Sequence, residues 1–300
     1  MVMQMSEVAV RNATILARRL GVNEYLVGFL IVAVISVFPE MVIAIMASWQ
    51  GVPSLGLGTL LGSNVADLTL VFAIVVLASG RNLKVSSSVL RANQLYVGLL
   101  VLPLLLGIDG QYSRWDGGIL LVAGLLFYYR LLRSHRSVGL PAPSVSEPVQ
   151  SLVRPTIIFF ASIIVLLVGS ALAVAYGRSL AVDMGVPPIL VGLLVLGIGT
   201  TIPELFFSLR ASQSQRDHLA LGDILGTVIT DATLVIGVLA LIRPFIFDPR
   251  PILITGVFMV LSGVLLFHFM RSGRVLTKKE SILLILFYVL FAAIEISLSG

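Results

Sequence analysis

The polar residues of this chain are gathered into short breaks between long apolar runs. The runs lie at about 24–48, 54–79, 92–108, 116–132, 155–176, 187–209, 219–242, 251–270 and 281–299. A helix of roughly 20 mainly apolar residues spans the hydrocarbon core of a bilayer, so each run predicts a membrane helix. Residues 7–20 are only half apolar and carry Arg11, Arg18 and Arg19. They predict a short or clipped first helix. They do not read as a signal peptide, because no apolar core follows a basic start and no small-residue cleavage site ends it.

Composition removes the soluble alternatives. The 300 residues are 58% apolar and 12% charged, about half the charge of an ordinary soluble domain. With no cysteine, disulfides, thiolate metal sites and cysteine nucleophiles are excluded. The net charge of +5 fits cytoplasmic loops of a membrane protein and not a nucleic-acid surface.

The least apolar connection, 134–155, holds His135, Arg136, Pro141, Pro143, Ser144, Ser146 and Pro148, which is linker chemistry. It separates five spans from five. Threading ten spans through a bilayer puts 16 of the 20 Lys and Arg on one side, among them Arg81, Lys84, Arg130, Arg133, Arg210 and Arg216. Only Arg114, Arg178, Arg243 and Arg250 fall on the other. By the positive-inside bias the crowded side is cytoplasmic, so the linker faces the cytoplasm and both termini lie outside.

The two halves repeat. Gly21-Val22, Leu26-Val27-Gly28, Leu30 and Pro39-Glu40 recur as Gly185-Val186, Leu190-Val191-Gly192, Leu194 and Pro203-Glu204, each 164 residues later. Gly58, Leu61-Gly62, Asp67 and Thr69-Leu70-Val71 recur at the same offset as Gly222, Leu225-Gly226, Asp231 and Thr233-Leu234-Val235. Five spans per half is an odd number, so the second half enters the membrane from the opposite side. The expected fold is an all-α integral membrane protein of ten transmembrane helices in two inverted five-helix repeats. These occupy 1–133 and 155–300, with a cytoplasmic linker at 134–154. Such proteins place their sites at the repeat interface near midplane.

Four acids fall deep inside apolar runs: Glu40, Asp67, Glu204 and Asp231. An ionised side chain at the bilayer centre costs at least about 2.5–3.5 kcal/mol. Each acid follows a hydroxyl by four residues, as Ser36/Glu40, Ser63/Asp67, Thr200/Glu204 and Thr227/Asp231, a spacing that puts both on one helix face. Hard cations such as Ca²⁺ take 6–8 oxygen ligands of this kind. For any one acid the alternative is a protonated carboxyl group joining helices, but all four belong to one repeated pattern. Pro39 and Pro203 lack an N–H and clash with the carbonyl four residues back, freeing oxygens near Ile35 and Gly199. Non-helical backbone at this depth is tolerated where it lines a cavity. The Gly58/Gly62 and Gly222/Gly226 pairs predict close-packed helix faces. His135, His218 and His268 fall in loops or near a helix end.

At these residues the chain resembles the calcium/cation antiporter superfamily, in particular the prokaryotic sodium/calcium exchangers. The signature written G-T-S-L-P-E appears as Ile35-Ser36-Val37-Phe38-Pro39-Glu40 and as Gly199-Thr200-Thr201-Ile202-Pro203-Glu204. Its partner G-S-N-x-x-[DN] appears as Gly62-Ser63-Asn64-Val65-Ala66-Asp67 and Gly226-Thr227-Val228-Ile229-Thr230-Asp231. The resemblance implies a secondary antiporter, not an enzyme. It would exchange Ca²⁺ for Na⁺ by alternating access, with those ions as cargo, lipid around it and no cofactor. It makes Glu40 and Glu204 the principal Ca²⁺ carboxylates. Ser36, Ser63, Thr200, Thr201, Thr227, Asp67 and Asp231 would complete the ion sites, with the backbone oxygens of Ala33 and Gly197. The first and sixth helices would slide across the rest.

Val37 stands where the second repeat keeps a hydroxyl, Thr201, and Asp67 where related exchangers often have Asn. The first helix is about ten residues shorter than its counterpart at 155–183, so either the true start lies upstream of Met1 or the gate helix is stunted. A proton-coupled Ca²⁺ antiporter and a non-transporting cation-binding relative are the alternatives. An intramembrane aspartyl protease is disfavoured. Its G-x-G-D signature is only approached, as Ala220-Leu221-Gly222-Asp223, and Asp223 reads as an acid just inside a helix start, favoured by the dipole. A cation channel would commonly arrange its acids by oligomeric symmetry.

Overall fold

The computed structural model describes residues 24–49, 53–85, 89–90, 93–135, 153–183, 196–247 and 249–299, with Val8, Asn12 and Ile15. The rest of the expected first helix, most of the linker and residues 184–195 lie outside the described residues.

The chain is helical, as its apolar runs predict. Helix α1 (Glu24–Val27) widens into a π-helical segment (Gly28–Val32), continues as α2 (Ala33–Ser36), breaks at Val37 and restarts as α3 (Phe38–Trp49). Helix α4 (Pro53–Ala66) passes through a π segment (Asp67–Val71) into α5 (Phe72–Ser79). Then come α6 (Asn93–Leu106), α7 (Arg114–His135) and the 31-residue α8 (Val153–Asp183). The later part of the chain holds α9 (Gly197–Thr200), α10 (Ile202–Gln213) and α11 (Asp217–Ile229). A π segment (Thr230–Val235) then leads to α12 (Ile236–Ile242), followed by α13 (Pro249–Arg271) and α14 (Lys278–Ser299).

The 164-residue offset seen in the sequence extends to backbone irregularities. The breaks at Val37 and Thr201 are mates, and each comes two residues before a proline. Proline is tolerated in a first helical turn, where its missing N–H is one of the unpaired ones anyway. The chain therefore stops and restarts instead of bending through. The π segments beginning at Asp67 and spanning Asp231 end at the mates Val71 and Val235. Side-chain bonds repeat too: Ser36 donates to the Ala33 carbonyl at 3.2 Å and Thr200 to the Gly197 carbonyl at 3.3 Å.

Two short antiparallel ladders join early to late parts of the chain. Strand β1 (Leu83–Lys84) pairs with β4 (Val275–Leu276), and β2 (Gln111–Tyr112) with β3 (Phe245–Ile246). Beside them, arginines cap helix ends. Arg81 forms a two-pronged ion pair with Asp217, one arm at 2.9 Å, and also reaches the Ser212 carbonyl at the end of α10. Arg243 donates to the Ser48 and Trp49 carbonyls at the end of α3, at 3.1 and 3.2 Å. A cation is favoured at each site because the last carbonyls of a helix lack partners and carry its negative dipole end.

Among the described residues five helical stretches are long and apolar enough to cross a membrane. Two of them, Gly56–Ser79 and Asp217–Ile242, are 83% buried, against 28–44% for the other three. The most enclosed pair carries Asp67 and Asp231. The peripheral helices turn side chains such as Val122, Leu126, Ile157, Ile164, Leu286 and Leu290 outward, a surface suited to lipid.

The expected close-packed glycine face is present at Gly222. A β-carbon there would strike the Tyr25 carbonyl oxygen and lie 2.9 Å from the Phe29 nitrogen. The π segment after α1 therefore rests backbone to backbone on α11.

Candidate functional site

The breaks and the π segments meet in the middle of the molecule. Glu40 opens α3 and Glu204 opens α10, each just past its proline, while Asp67 and Asp231 lie in the π segments of the two enclosed helices. All four side chains are fully buried. They are neighbours: Glu204 and Asp231 lie within electrostatic reach of Glu40, and Glu204, Glu40 and Asp231 within reach of Asp67.

None of the eight carboxylate oxygens has a hydrogen-bond partner. A buried polar atom left unpaired costs about 1–3 kcal/mol, more if charged. Eight in one place is a poor design for packing and a sound one for groups whose partner arrives from outside.

Ser36, Ser63, Thr200, Thr201 and Thr227 are all buried around these acids. Their pairing differs from the i, i+4 expectation. The Ser36 hydroxyl stands beside Glu204, the Thr200 hydroxyl beside Glu40, and Ser63 beside Asp231, none of them within hydrogen-bonding geometry. Ser36 Oγ also lies 3.4 Å from Thr227 Oγ1. Ser36, Ser63, Thr200 and Thr227 therefore each sit by a residue of the other half, whereas Thr201 donates to the Ile198 carbonyl at 2.9 Å. For the glutamates the cause is the helix break, which falls between hydroxyl and acid and spoils the one-turn alignment.

The Ala33 carbonyl already accepts the Val37 N–H at 3.1 Å and the Ser36 hydroxyl at 3.2 Å, and the Gly197 carbonyl accepts the Thr200 hydroxyl. Both residues are nonetheless at the centre: a β-carbon on Gly197 would lie 3.2 Å from the Gly62 carbonyl carbon, and one on Gly226 would press on Ala33. Among the described residues no three acidic or histidine side chains stand close enough to hold one metal ion together. Chelation by three carboxylates at once therefore requires the side chains to draw inward.

Asp223 is not the helix-start acid expected. Helix α11 begins at Asp217, so Asp223 lies in its second turn, fully buried, accepting from Ser208 Oγ at 2.8 Å. Asn64, also buried, donates to Met259 Sδ at 3.5 Å and has an unpaired Oδ1. In the sequence Asp223 reads only as a helix-start acid and Asn64 only as part of a signature, because their repeat mates, Thr59 and Val228, are not acids or amides.

Comparison with known proteins decides what the arrangement belongs to. The family described as sodium/calcium exchanger protein matches residues 1–132 and 154–297, nearly the whole chain. The chain belongs to the sodium/calcium exchanger family. It is thus a multi-pass membrane protein of a family of cation antiporters. It is 31% identical over 247 residues to the inner membrane protein YrbG of Escherichia coli, covering 79% of this chain and 75% of that one. With the sodium/calcium exchanger MaX1 of Methanosarcina acetivorans it shares 24% identity over 329 residues, 96% of this chain and 93% of that one. Its fold matches the solved structure of the sodium-calcium exchanger NCX_Mj soaked with 2.5 mM Na⁺ and 10 mM Sr²⁺. The TM-score is 0.83 at 22% identity, over 97% of this chain and 94% of that one.

Proposed function

We propose that this exchanger carries Ca²⁺ in one direction and Na⁺ in the other by alternating access, through a single site built from both halves. The observation that carries this reading is the cluster of Glu40, Asp67, Glu204 and Asp231, four buried acids without an internal partner. Glu40 and Glu204 would be the principal Ca²⁺ ligands. Asp67, Asp231 and the hydroxyls of Ser36, Ser63, Thr200, Thr201 and Thr227 would complete the ion positions, with the Ala33 and Gly197 carbonyls. Four carboxylates with hydroxyl and carbonyl oxygens suit a hard cation. The ten-helix inverted plan, with halves 1–133 and 155–300 about the linker 134–154, is supported by helix breaks and π-segment ends that recur at one offset, and by two short strand pairs that each join one half to the other. The reading is tested by Ca²⁺ flux into proteoliposomes under separately imposed sodium and proton gradients. A sodium gradient should drive flux, and flux that follows only the proton gradient would reassign the coupling ion.

In the proposed orientation the linker is cytoplasmic and both termini are external, following the distribution of Lys and Arg. Single cysteines placed at Ser137 and Ser299 in this cysteine-free chain should label from opposite sides of the membrane. Labelling from the same side would rule out an odd number of spans in the second half.

Proton coupling is the second reading, favoured by Asp67 and by the missing hydroxyl at Val37. Four carboxylates around one cavity titrate as a coupled set. Any proton they share must leave as Ca²⁺ enters, so uptake should rise with pH over about pH 6–8. Asp67→Asn should flatten that rise. A profile unchanged by the substitution would show that Asp67 exchanges no proton.

A further inference from the structure

Asp223 is a buried acid that the exchange site does not use. It is fully buried in α11, where Oδ2 accepts from the Ser208 hydroxyl at 2.8 Å and the Ala220 carbonyl lies 3.3 Å from that hydroxyl. Its other oxygen, Oδ1, has no partner, and no Lys or Arg among the described residues forms an ion pair with it. Its position relative to the central acids follows from helix geometry. Ser208 comes four residues after Glu204 on α10, and Asp223 four residues before Thr227 on α11. Residues four apart share a face about one turn, roughly 5.4 Å, along the axis. Helices α10 and α11 are joined by the turn at 214–216, so both displacements run toward that turn. The Asp223–Ser208 pair thus sits one turn from the central site, with Asp223 within electrostatic reach of Glu204.

The other half has no such pair. The repeat mates of Asp223 and Ser208 are Thr59 and Ala44, both buried. Ala44 instead packs against Gly56, where a β-carbon would lie 2.8 Å from the Ala44 Cα. In an inverted arrangement these mates lie toward the opposite membrane face. A buried carboxylate therefore stands one turn from the site on one side and has no counterpart at the mate position on the other.

Resting on the exchange reading above, we infer that Asp223 with Ser208 is an additional divalent-cation position on the cytoplasmic route alone, through which Ca²⁺ passes between that face and the central carboxylates. It makes the two faces of an otherwise repeated molecule unequal in apparent affinity.

The test is Asp223→Asn, measured as the KM for Ca²⁺ in membrane vesicles of both orientations. Asparagine keeps an oxygen for the Ser208 hydroxyl, so a residue that only joins α10 to α11 would leave the ratio of cytoplasmic to external KM at the wild-type value. The inference predicts that this ratio rises about tenfold, the scale on which a contributing group near a cation changes affinity. Ser208→Ala, which retains the carboxylate and removes its oxygen neighbour, should raise the ratio by a smaller factor and guards against a misfolded first variant. An unchanged ratio in both variants would overturn the assignment. A wild type that exchanges no Ca²⁺ in either orientation would overturn the exchange reading itself, and the assignment with it.

Discussion

Replacing Glu204 with Gln is expected to lower Ca²⁺ exchange in proteoliposomes by at least about 100-fold, with Glu40→Gln doing the same. Outer groups that only orient a ligand already change metal affinity by about 10–100-fold, and a direct carboxylate ligand weighs more. The substitution preserves volume and removes one charge, and the number of charged ligands is what tunes Ca²⁺ affinity. Neither glutamate has a hydrogen bond to lose, so folding should survive. Relieving an unpaired buried acid is neutral or favourable for stability. Thermal melting of the purified variants separates the two effects: exchange should vanish while the melting temperature holds or rises. If either variant kept near-normal flux, that glutamate would be packing and not a ligand.

The second large effect is steric. Gly222→Ala should destabilise the protein by about 3 kcal/mol or more, at the upper end of overpacking. The atoms in the way are backbone, the Tyr25 carbonyl oxygen and the Phe29 nitrogen, and they cannot swing aside as a side chain can. Gly28 meets α11 in the same manner, its missing β-carbon lying 2.9 Å from the Asp223 nitrogen and 3.2 Å from the Gly222 carbonyl carbon. The internal control is Gly118→Ala in α7, where no atom lies within 4 Å of the added carbon. There alanine should be harmless or gain up to about 1 kcal/mol of helix propensity. Equal melting temperatures for the two variants would show that the contact between the first π segment and α11 is loose.

Much of this arrangement is legible in the sequence because membrane helices announce themselves by long apolar runs, and an acid inside one is conspicuous. The mates Pro39-Glu40 and Pro203-Glu204 locate both helix breaks, whose cause is local. Other features have no local cause. A π segment differs from its neighbours by one extra residue in a turn, which composition does not mark, so the widening at Asp67 and Asp231 was not foreseen. Two-residue strands such as β1 and β4 are too short to show a period. The Arg81–Asp217 pair joins residues 136 apart. The crossing of hydroxyls between halves, Ser36 to Glu204 and Thr200 to Glu40, depends on how the helices pack around the breaks. Asp223 reads as a helix-start acid in the sequence because it belongs to one half only, so the repeat does not mark it as part of a buried pair.

The central claim is that both halves build one Ca²⁺ site, and its most direct test is equilibrium binding of radioactive Ca²⁺ to purified protein carrying one substitution at a time. Glu40 and Glu204 lie in different halves, each buried beside a hydroxyl of the other. A shared site predicts that Glu40→Gln alone, and Glu204→Gln alone, each abolish all of the high-affinity binding. Loss of only half of the bound Ca²⁺ in each variant, with the remainder at wild-type affinity, would mean two independent sites and would contradict the account.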